Sequence, residues 1–294
     1  MTTPRPTREV PALVRRALRE DRTERDRTTR ALLPRPIAAE ATVTAQAPGV
    51  LSGMVELRAI ARATGLRVVA ADRDGRRIHA GTVVARLAGD ARTLLAVERT
   101  LLNFLMHASG VATETARAVR AARSRAGGPE VWATRKTLPG LRDLEKAAVV
   151  HGGGRPHRRD LSDAILIKNN HLALVPLAEA VRRARAAARP GEPIEVEVRT
   201  VRDALRAARA GADVLLVDNA GPAGARRIVR ALNAAGLRRG RRLELSGGIT
   251  PGRVARYRSV GADVVSVGAL THSAPALPFH LTIRAPARLK RPAG

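Results

Sequence analysis

Between residues 128 and 273 six short apolar runs alternate with longer amphipathic stretches, and this alternation constrains the fold more than any other feature of the chain. The runs at 131–134, 164–167, 194–198, 214–217, 243–246 and 264–267 have the length and β-branched content of buried strands, with helices filling most of the gaps. Two of the gaps end alike, in Ala210-Gly211-Ala212-Asp213-Val214 and in Gly261-Ala262-Asp263-Val264, each a glycine helix stop followed by entry into a strand. Such βα repetition requires a parallel sheet covered on its faces, either doubly wound or closed into a barrel.

The polar residues decide between the two. They fall where each strand ends: Thr134-Arg135-Lys136, Lys168-Asn169-Asn170-His171, Glu197, Asp218-Asn219, Ser246-Gly247-Gly248 and Gly268. In a (β/α) barrel those ends share one rim and converge on a ligand, whereas in an open sheet the outer ones lie too far apart. No early G-x-G-x-x-G follows a strand, which argues against a dinucleotide site.

Upstream, the first 30 residues are a charged lead-in with a helix-like stretch at 10–19. Residues 37–87 alternate β-branched runs with glycine punctuation around one helix near 54–64, the pattern of a small α+β unit. From Ala91, helical spacing of Leu94, Val97, Leu101, Phe104 and Leu105 predicts a helix that Ser109-Gly110 interrupts before a second runs to about residue 126. Arg99 points off that apolar stripe, as a solvated arginine would.

Composition enters as a set of exclusions. With no cysteine there is no disulfide, thiolate nucleophile or Cys-type zinc site, and the seven histidines form no H-E-x-x-H pair. Any metal would be Mg²⁺ held by oxygen ligands and substrate phosphates. No run of 18 apolar residues and no secretory leader is present, so neither membrane spanning nor export is expected and a cytoplasmic protein is the default. The net charge of +27 is spread along the whole chain and aromatic content is 1%, so exposed bases would find almost nothing to stack on and nucleic-acid binding is not expected.

Among 53 basic residues only Lys136, Lys146, Lys168 and Lys290 are lysines, and three of those four lie between positions 136 and 168. A compact ammonium in a background of arginine marks that stretch as a place where charge is put to use. Arg135, Lys136, His157, Arg158 and Lys168 lie in or just before the strand-end loops and predict a polyanion there. Ser246-Gly247-Gly248 and Gly268-Ala269 follow the last two strands, where barrels commonly bind phosphate through backbone N–H groups. Glu197 and Asp218 end adjacent strands and could face ribose hydroxyls or Mg²⁺, with salt bridges to nearby arginines as the competing account.

These residues fall into longer blocks: Leu18-Arg19-Glu20-Asp21, Glu98-Arg99-Thr100-Leu101-Leu102-Asn103-Phe104, Ser109-Gly110-Val111-Ala112-Thr113, Thr134-Arg135-Lys136-Thr137-x-Pro139-Gly140-Leu141 and Leu144-Glu145-Lys146. Gly152-Gly153-Gly154-x-x-His157-Arg158, Leu166-Ile167-Lys168-x-Asn170-His171, Glu195-Val196-Glu197-Val198, Asp218-Asn219, Ser246-Gly247-Gly248-Ile249 and Ser266-Val267-Gly268-Ala269-Leu270-Thr271-His272-Ser273 follow. In content and order the set resembles the quinolinate phosphoribosyltransferases. Ala133 and Asn169 depart from it, each standing where that family usually has Asp.

The resemblance implies an N-terminal open α/β sandwich domain at 1–111, an incomplete (β/α) barrel at 112–275 and a C-terminal segment at 276–294 returning to the first domain. It implies phosphoribosyl transfer from phosphoribosyl pyrophosphate to quinolinate with decarboxylation. Arg99, Arg135, Lys136, His157, Arg158 and Lys168 would bind quinolinate. Glu197, Asp218, Ser246, Gly247, Gly248, Gly268 and His272 would hold the phosphoribosyl substrate. Lys136, Lys168, Glu197 and Asp218 would be catalytic. It further implies Mg²⁺ at Glu197 and Asp218 with no organic cofactor, and a homodimer in which Arg99 completes the neighbouring subunit's site. The alternatives left open are a paralogue acting on another acid, of the molybdenum-transport-associated type, and a weakened relative that only binds an anion.

Overall fold

The computed structural model describes residues 9–123 and 127–285. In chain order the elements are α1 (Glu9–Glu20), α2 (Arg27–Leu32), β1 (Ala38–Ala45), β2 (Gly49–Val50), α3 (Met54–Ala63), β3 (Arg67–Ala71), β4 (Arg77–Ile78), β5 (Val83–Asp90) and α4 (Ala91–Ala122). They continue with β6 (Glu130–Trp132), α5 (Arg142–His151), β7 (Ile165–Ile167), α6 (Asn169–Leu172), α7 (Leu177–Ala187), β8 (Ile194–Val198), α8 (Val201–Arg209), β9 (Val214–Asp218) and α9 (Pro222–Ala234). β10 (Arg242–Ser246), β11 (Val264–Ser266), α10 (Ala269–His272) and β12 (Phe279–Arg284) complete the set.

Packing divides the chain into two compact units. The first takes the described residues up to Glu114, Pro139–Gly153 and those from Ala274 onward, and the second takes Thr115–Leu138 and Gly154–Ser273. α5, which follows the first barrel strand in sequence, therefore belongs to the first unit.

The first unit is built on a four-stranded sheet in the order β12-β1-β5-β3. β1 buries every second residue, Ala39, Ala41, Val43 and Ala45, the period of a half-buried strand. α3 turns Met54, Leu57, Ile60 and Ala61 inward at helical spacing. β12 pairs antiparallel with β1, from Glu40 opposite Arg284 to Ala45 opposite Phe279.

α4 corrects one expectation: Ala91–Ala122 is a single helix with no break at Ser109-Gly110. Gly110 serves close approach rather than termination. A Cβ there would lie 2.1 Å from the Pro275 carbonyl oxygen, and next to it the Leu277 N–H donates to the Met106 carbonyl at 2.9 Å. The chain leading into β12 thus crosses the helix at a notch that only glycine leaves open.

The second unit holds a six-stranded all-parallel sheet in the order β6-β11-β10-β9-β8-β7. No ladder joins β6 to β7 among the described residues; instead Arg155 forms a single parallel bridge to Trp132 at the outer edge of β6. The sheet curls. Side-chain atoms of His157, just beyond that bridge, and of Glu195 on β8 and Glu244 on β10 all come within 4.8 Å of one another. This is an incomplete barrel with its concave face filled by side chains.

The first glycine junction forms as the sequence predicts, with Gly211 at φ +95° after α8; at the second, Gly261 has φ +89° ahead of β11 but stops no α-helix. The β10–β11 connection departs from a regular βα unit: Pro251–Tyr257 is a 3₁₀-helix.

Candidate active site

Because all six strands of the second unit run parallel, their carboxyl ends lie at one rim, and the loops that follow carry the polar residues. After β6, the Lys136 N–H donates to Thr134 Oγ1 at 3.0 Å and the Lys136 carbonyl accepts from Thr271 Oγ1 of α10 at 2.8 Å. Gly268 sits against this pair. A Cβ on it would lie 3.0 Å from Lys136 Cδ, 3.2 Å from His272 Nε2 and 3.4 Å from Thr134 Oγ1, so the loops after β6 and β11 form one cluster of an ammonium, an imidazole and a bare backbone.

After β10, Gly247 and Gly248 have φ +89° and +62°. A Cβ on Gly247 would meet Asn219 Oδ1 at 2.5 Å, and Asn219, itself at φ +56°, donates its N–H to the Ser246 carbonyl at 2.9 Å. Left-handed backbone and close approach both demand glycine here. The result is a tight pair of turns at the ends of β9 and β10, which brings Ser246, Gly247 and Gly248 beside Asp218.

Glu197 and Asp218, on adjacent strands, are 12% and 16% exposed and face a shared neighbour, Arg199. The Arg199 guanidinium stands 3.8 Å from Glu197 Oε1 and 3.4 Å from Asp218 Oδ2. Asn169 Nδ2 donates to Glu197 Oε1 at 2.5 Å and Asn219 Nδ2 to Asp218 Oδ2 at 2.8 Å. One oxygen of each carboxylate is thus engaged by an amide, and a cation already stands between the two. With Arg199 in this position the pair does not offer an open protein-held Mg²⁺ site.

Deeper in the barrel Glu195 and Glu244, 7% and 2% exposed, lie close together beside His157. Burial, and then the charge of Glu244, hold the Glu195 carboxyl well above the usual carboxylate range. Glu195 Oε1 has no hydrogen-bond partner, whereas Glu244 Oε1 accepts from Ser266 Oγ at 2.6 Å and faces His157 Nε2 at 3.3 Å. His157 has φ +55° and its Nδ1 accepts the Arg158 N–H at 2.6 Å, which places the ring proton on Nε2, toward Glu244. Both ring nitrogens are therefore occupied within the protein. The Arg158 guanidinium, shifted down by burial and then by the neighbouring Arg135, donates to the Ala164 carbonyl at 3.4 Å.

The second unit thus carries Arg135, Lys136, His157, Arg158, Lys168, Glu197, Asp218, Ser246, Gly247, Gly248, Gly268 and His272 on or beside one rim. Arg99 belongs to the first unit, exposed on α4 beside a cavity of about 440 Å³ that Glu20, Asp21, Asn103 and His107 also line. A larger cavity, about 1110 Å³, opens at the opposite end of the strands among Glu130, Asp213, Arg242 and Asp263. There Arg185 pairs with Asp213 and Arg238 with Asp263.

Sequence reasoning missed Arg199 and Glu244. Arginine is so common here that Arg199 carried no signal. Glu244 could have been found by parity, since it lies two residues before Ser246 and so on the same face of its strand.

Residues 26–109 match the N-terminal domain and residues 111–282 the C-terminal domain of the family described as quinolinate phosphoribosyl transferase. A protein of Methanothermobacter thermautotrophicus, named probable nicotinate-nucleotide pyrophosphorylase (carboxylating), is 40% identical over 273 residues, 92% of this chain and 98% of that one. The nicotinate-nucleotide pyrophosphorylase (carboxylating) of Mycobacterium leprae is 39% identical over 283 residues, covering 92% and 95%. The crystal structure of NadC from Streptococcus pyogenes superposes with a TM-score of 0.85 at 36% identity, covering 94% of this chain and 98% of that one.

Proposed function

The chain belongs to the quinolinate phosphoribosyltransferase family, and on that premise we propose that it converts quinolinate and phosphoribosyl pyrophosphate to nicotinate mononucleotide, pyrophosphate and carbon dioxide, a step of NAD biosynthesis. The observation that carries this reading is the meeting of Lys136, Gly268 and His272 where two strand ends adjoin, on the rim that also carries Lys168 and the Glu197–Asp218 pair.

Two polyanions must approach, and dense fixed positive charge offsets their repulsion. Arg135, Lys136, Arg158 and Lys168 take the two carboxylates of quinolinate, joined by Arg99 from a second copy of the chain in a homodimer. His157, with both nitrogens engaged, shapes the floor and fixes the main chain of Arg158. Ser246, Gly247, Gly248, Gly268 and His272 receive phosphate oxygens, while Glu197 and Asp218 face the ribose hydroxyls. Mg²⁺ would be carried by the pyrophosphate of the substrate, where it would offset phosphate charge.

The ring nitrogen of quinolinate attacks the anomeric carbon as the bond to pyrophosphate breaks. Glu197 and Asp218 stabilise the positive charge that develops on the sugar. The pyridinium nitrogen so formed draws the electron pair left at C2 when the adjacent carboxylate departs as carbon dioxide, and C2 then takes a proton. The substrate ring is its own electron sink, so no organic cofactor is needed. No helix among the described residues is long and apolar enough to cross a membrane, and we place the enzyme in the cytoplasm.

The test is direct: purified protein, quinolinate, phosphoribosyl pyrophosphate and Mg²⁺, with nicotinate mononucleotide followed over time. Formation of the nucleotide in step with pyrophosphate is expected. If none forms while nicotinate or another acid is consumed, the substrate assignment fails and the paralogous reading takes its place.

A further inference from the structure

Arg199 is placed between the two acidic residues of the rim, its guanidinium near both carboxylates. Its side chain is 60% exposed, while those of Glu197 and Asp218 are 12% and 16% exposed. The carboxylates are fixed by their strands and by the amides of Asn169 and Asn219; the guanidinium reaches them from solvent and can swing away. Two carboxylates that share one cationic neighbour would, without it, attract a divalent ion, since oxygen ligands of like charge are what Mg²⁺ and Mn²⁺ bind. The guanidinium charge, 3.8 Å from Glu197 Oε1 and 3.4 Å from Asp218 Oδ2, opposes a second cation at the same oxygens. The residue beside Glu197 points the same way. Asn169 offers an amide hydrogen to Glu197 where an aspartate would have offered a third carboxylate, which leaves the cluster with two negative groups and one positive.

We infer that Arg199 is a positioning residue that stands in for a protein-bound divalent cation, holding Glu197 and Asp218 as a pair so that metal reaches this rim only as part of a phosphorylated substrate. The inference rests on the proposed function for the identity of that substrate, but the displacement of metal by Arg199 does not depend on it. When the metal-bound pyrophosphate arrives, the exposed guanidinium turns outward and its charge passes to the phosphates, leaving the carboxylates free to face the sugar.

The experiment uses Mn²⁺ as the probe, without substrate. Purified wild type and Arg199→Ala are titrated with Mn²⁺ while the electron paramagnetic resonance of the free ion is recorded. Wild type is expected to bind weakly and without defined stoichiometry, and Arg199→Ala to bind one ion per chain about tenfold or more tighter. The gain should vanish in the double variant Arg199→Ala, Glu197→Gln. Equal binding by wild type and Arg199→Ala, whether tight or absent, overturns the inference, as does a gain that survives loss of the Glu197 charge. Because no turnover is read, a protein inactive on quinolinate can still pass this test, and an active one can fail it.

Discussion

Replacing Gly110 with alanine sets two effects of known size against each other. Gly110 lies inside α4, where alanine is favoured over glycine by about 1 kcal/mol. Against this, the new Cβ would sit 2.1 Å from the Pro275 carbonyl oxygen, 3.0 Å from its carbon and 3.2 Å from Ala276 Cα. All three are backbone atoms, so no rotamer change relieves the contact; helix and crossing chain must separate by roughly 1 Å. Overpacking of this kind costs about 1–3 kcal/mol, and a backbone obstacle puts the cost at the upper end. The separation also stretches the hydrogen bond from Leu277 to Met106, a loss of about 1 kcal/mol. The clash wins: Gly110→Ala should destabilise by about 2–3 kcal/mol, a fall of about 3–5 °C in Tm for a protein of 294 residues. Gly224, in the first turn of α9, is the control, because a Cβ there meets nothing nearer than 3.5 Å. Gly224→Ala should leave stability unchanged or raise it by up to about 1 kcal/mol. Thermal unfolding followed by far-ultraviolet circular dichroism reads both. A Gly110→Ala protein as stable as wild type would refute the argument that this glycine exists for the crossing.

Lys136→Ala and Arg158→Ala should each lower kcat/KM for nucleotide formation by about 10²-fold or more, since each removes a charge offsetting the repulsion between the substrates; an unimpaired variant counts against the assigned roles. Mixing inactive Arg99→Ala with inactive Lys136→Ala tests the homodimer. After subunit exchange half the dimers are mixed and one site in each is intact, so activity should recover to about a quarter of wild type, and no recovery would place Arg99 outside the neighbour's site. Glu56, buried on α3, has its carboxyl pushed up to about 7 by burial and then by Asp74. Its folded value exceeds its unfolded one, so the neutral form stabilises fully below pH 4.5 and that stability is lost as pH rises through about 7, by up to about 3 kcal/mol. Glu56→Gln should therefore match wild type near pH 4.5 and exceed it in urea midpoint at pH 8; equal midpoints at both would show that Glu56 titrates normally.

The barrel strands were legible because each is a short apolar run with nowhere to go but a covered sheet, and Gly211 and Gly261 mark two of their entries. Gly110 was misread for a reason internal to local patterns: a glycine needed for helix termination and one needed for contact look alike until the Pro275 backbone is in view. The return of α5 to the first unit was equally hidden, because α5 directly follows a barrel strand in sequence and its amphipathic pattern does not say what covers its apolar face. In the site, Lys136 and Lys168 stood out because lysine is rare in this chain. Arg199 vanished into the arginine background, and the His157–Glu244 contact joins positions 87 apart that no short pattern connects.

The pairing of β12 with β1 also sets a clock on how the chain can be made. β5, ending at Asp90, is available to one edge of β1 early, but the other edge waits for a strand that ends at Arg284. At about 5–20 residues per second a ribosome needs roughly 10–40 s to supply the intervening 194 positions. Throughout that interval the nascent chain carries an eight-residue strand with one edge open and a single charged residue, Glu40, to discourage strand addition by a neighbouring polysome product. Any message truncated before codon 279 yields a product in which that edge is never closed, so premature termination late in the gene should be felt first as aggregation of the amino-terminal unit.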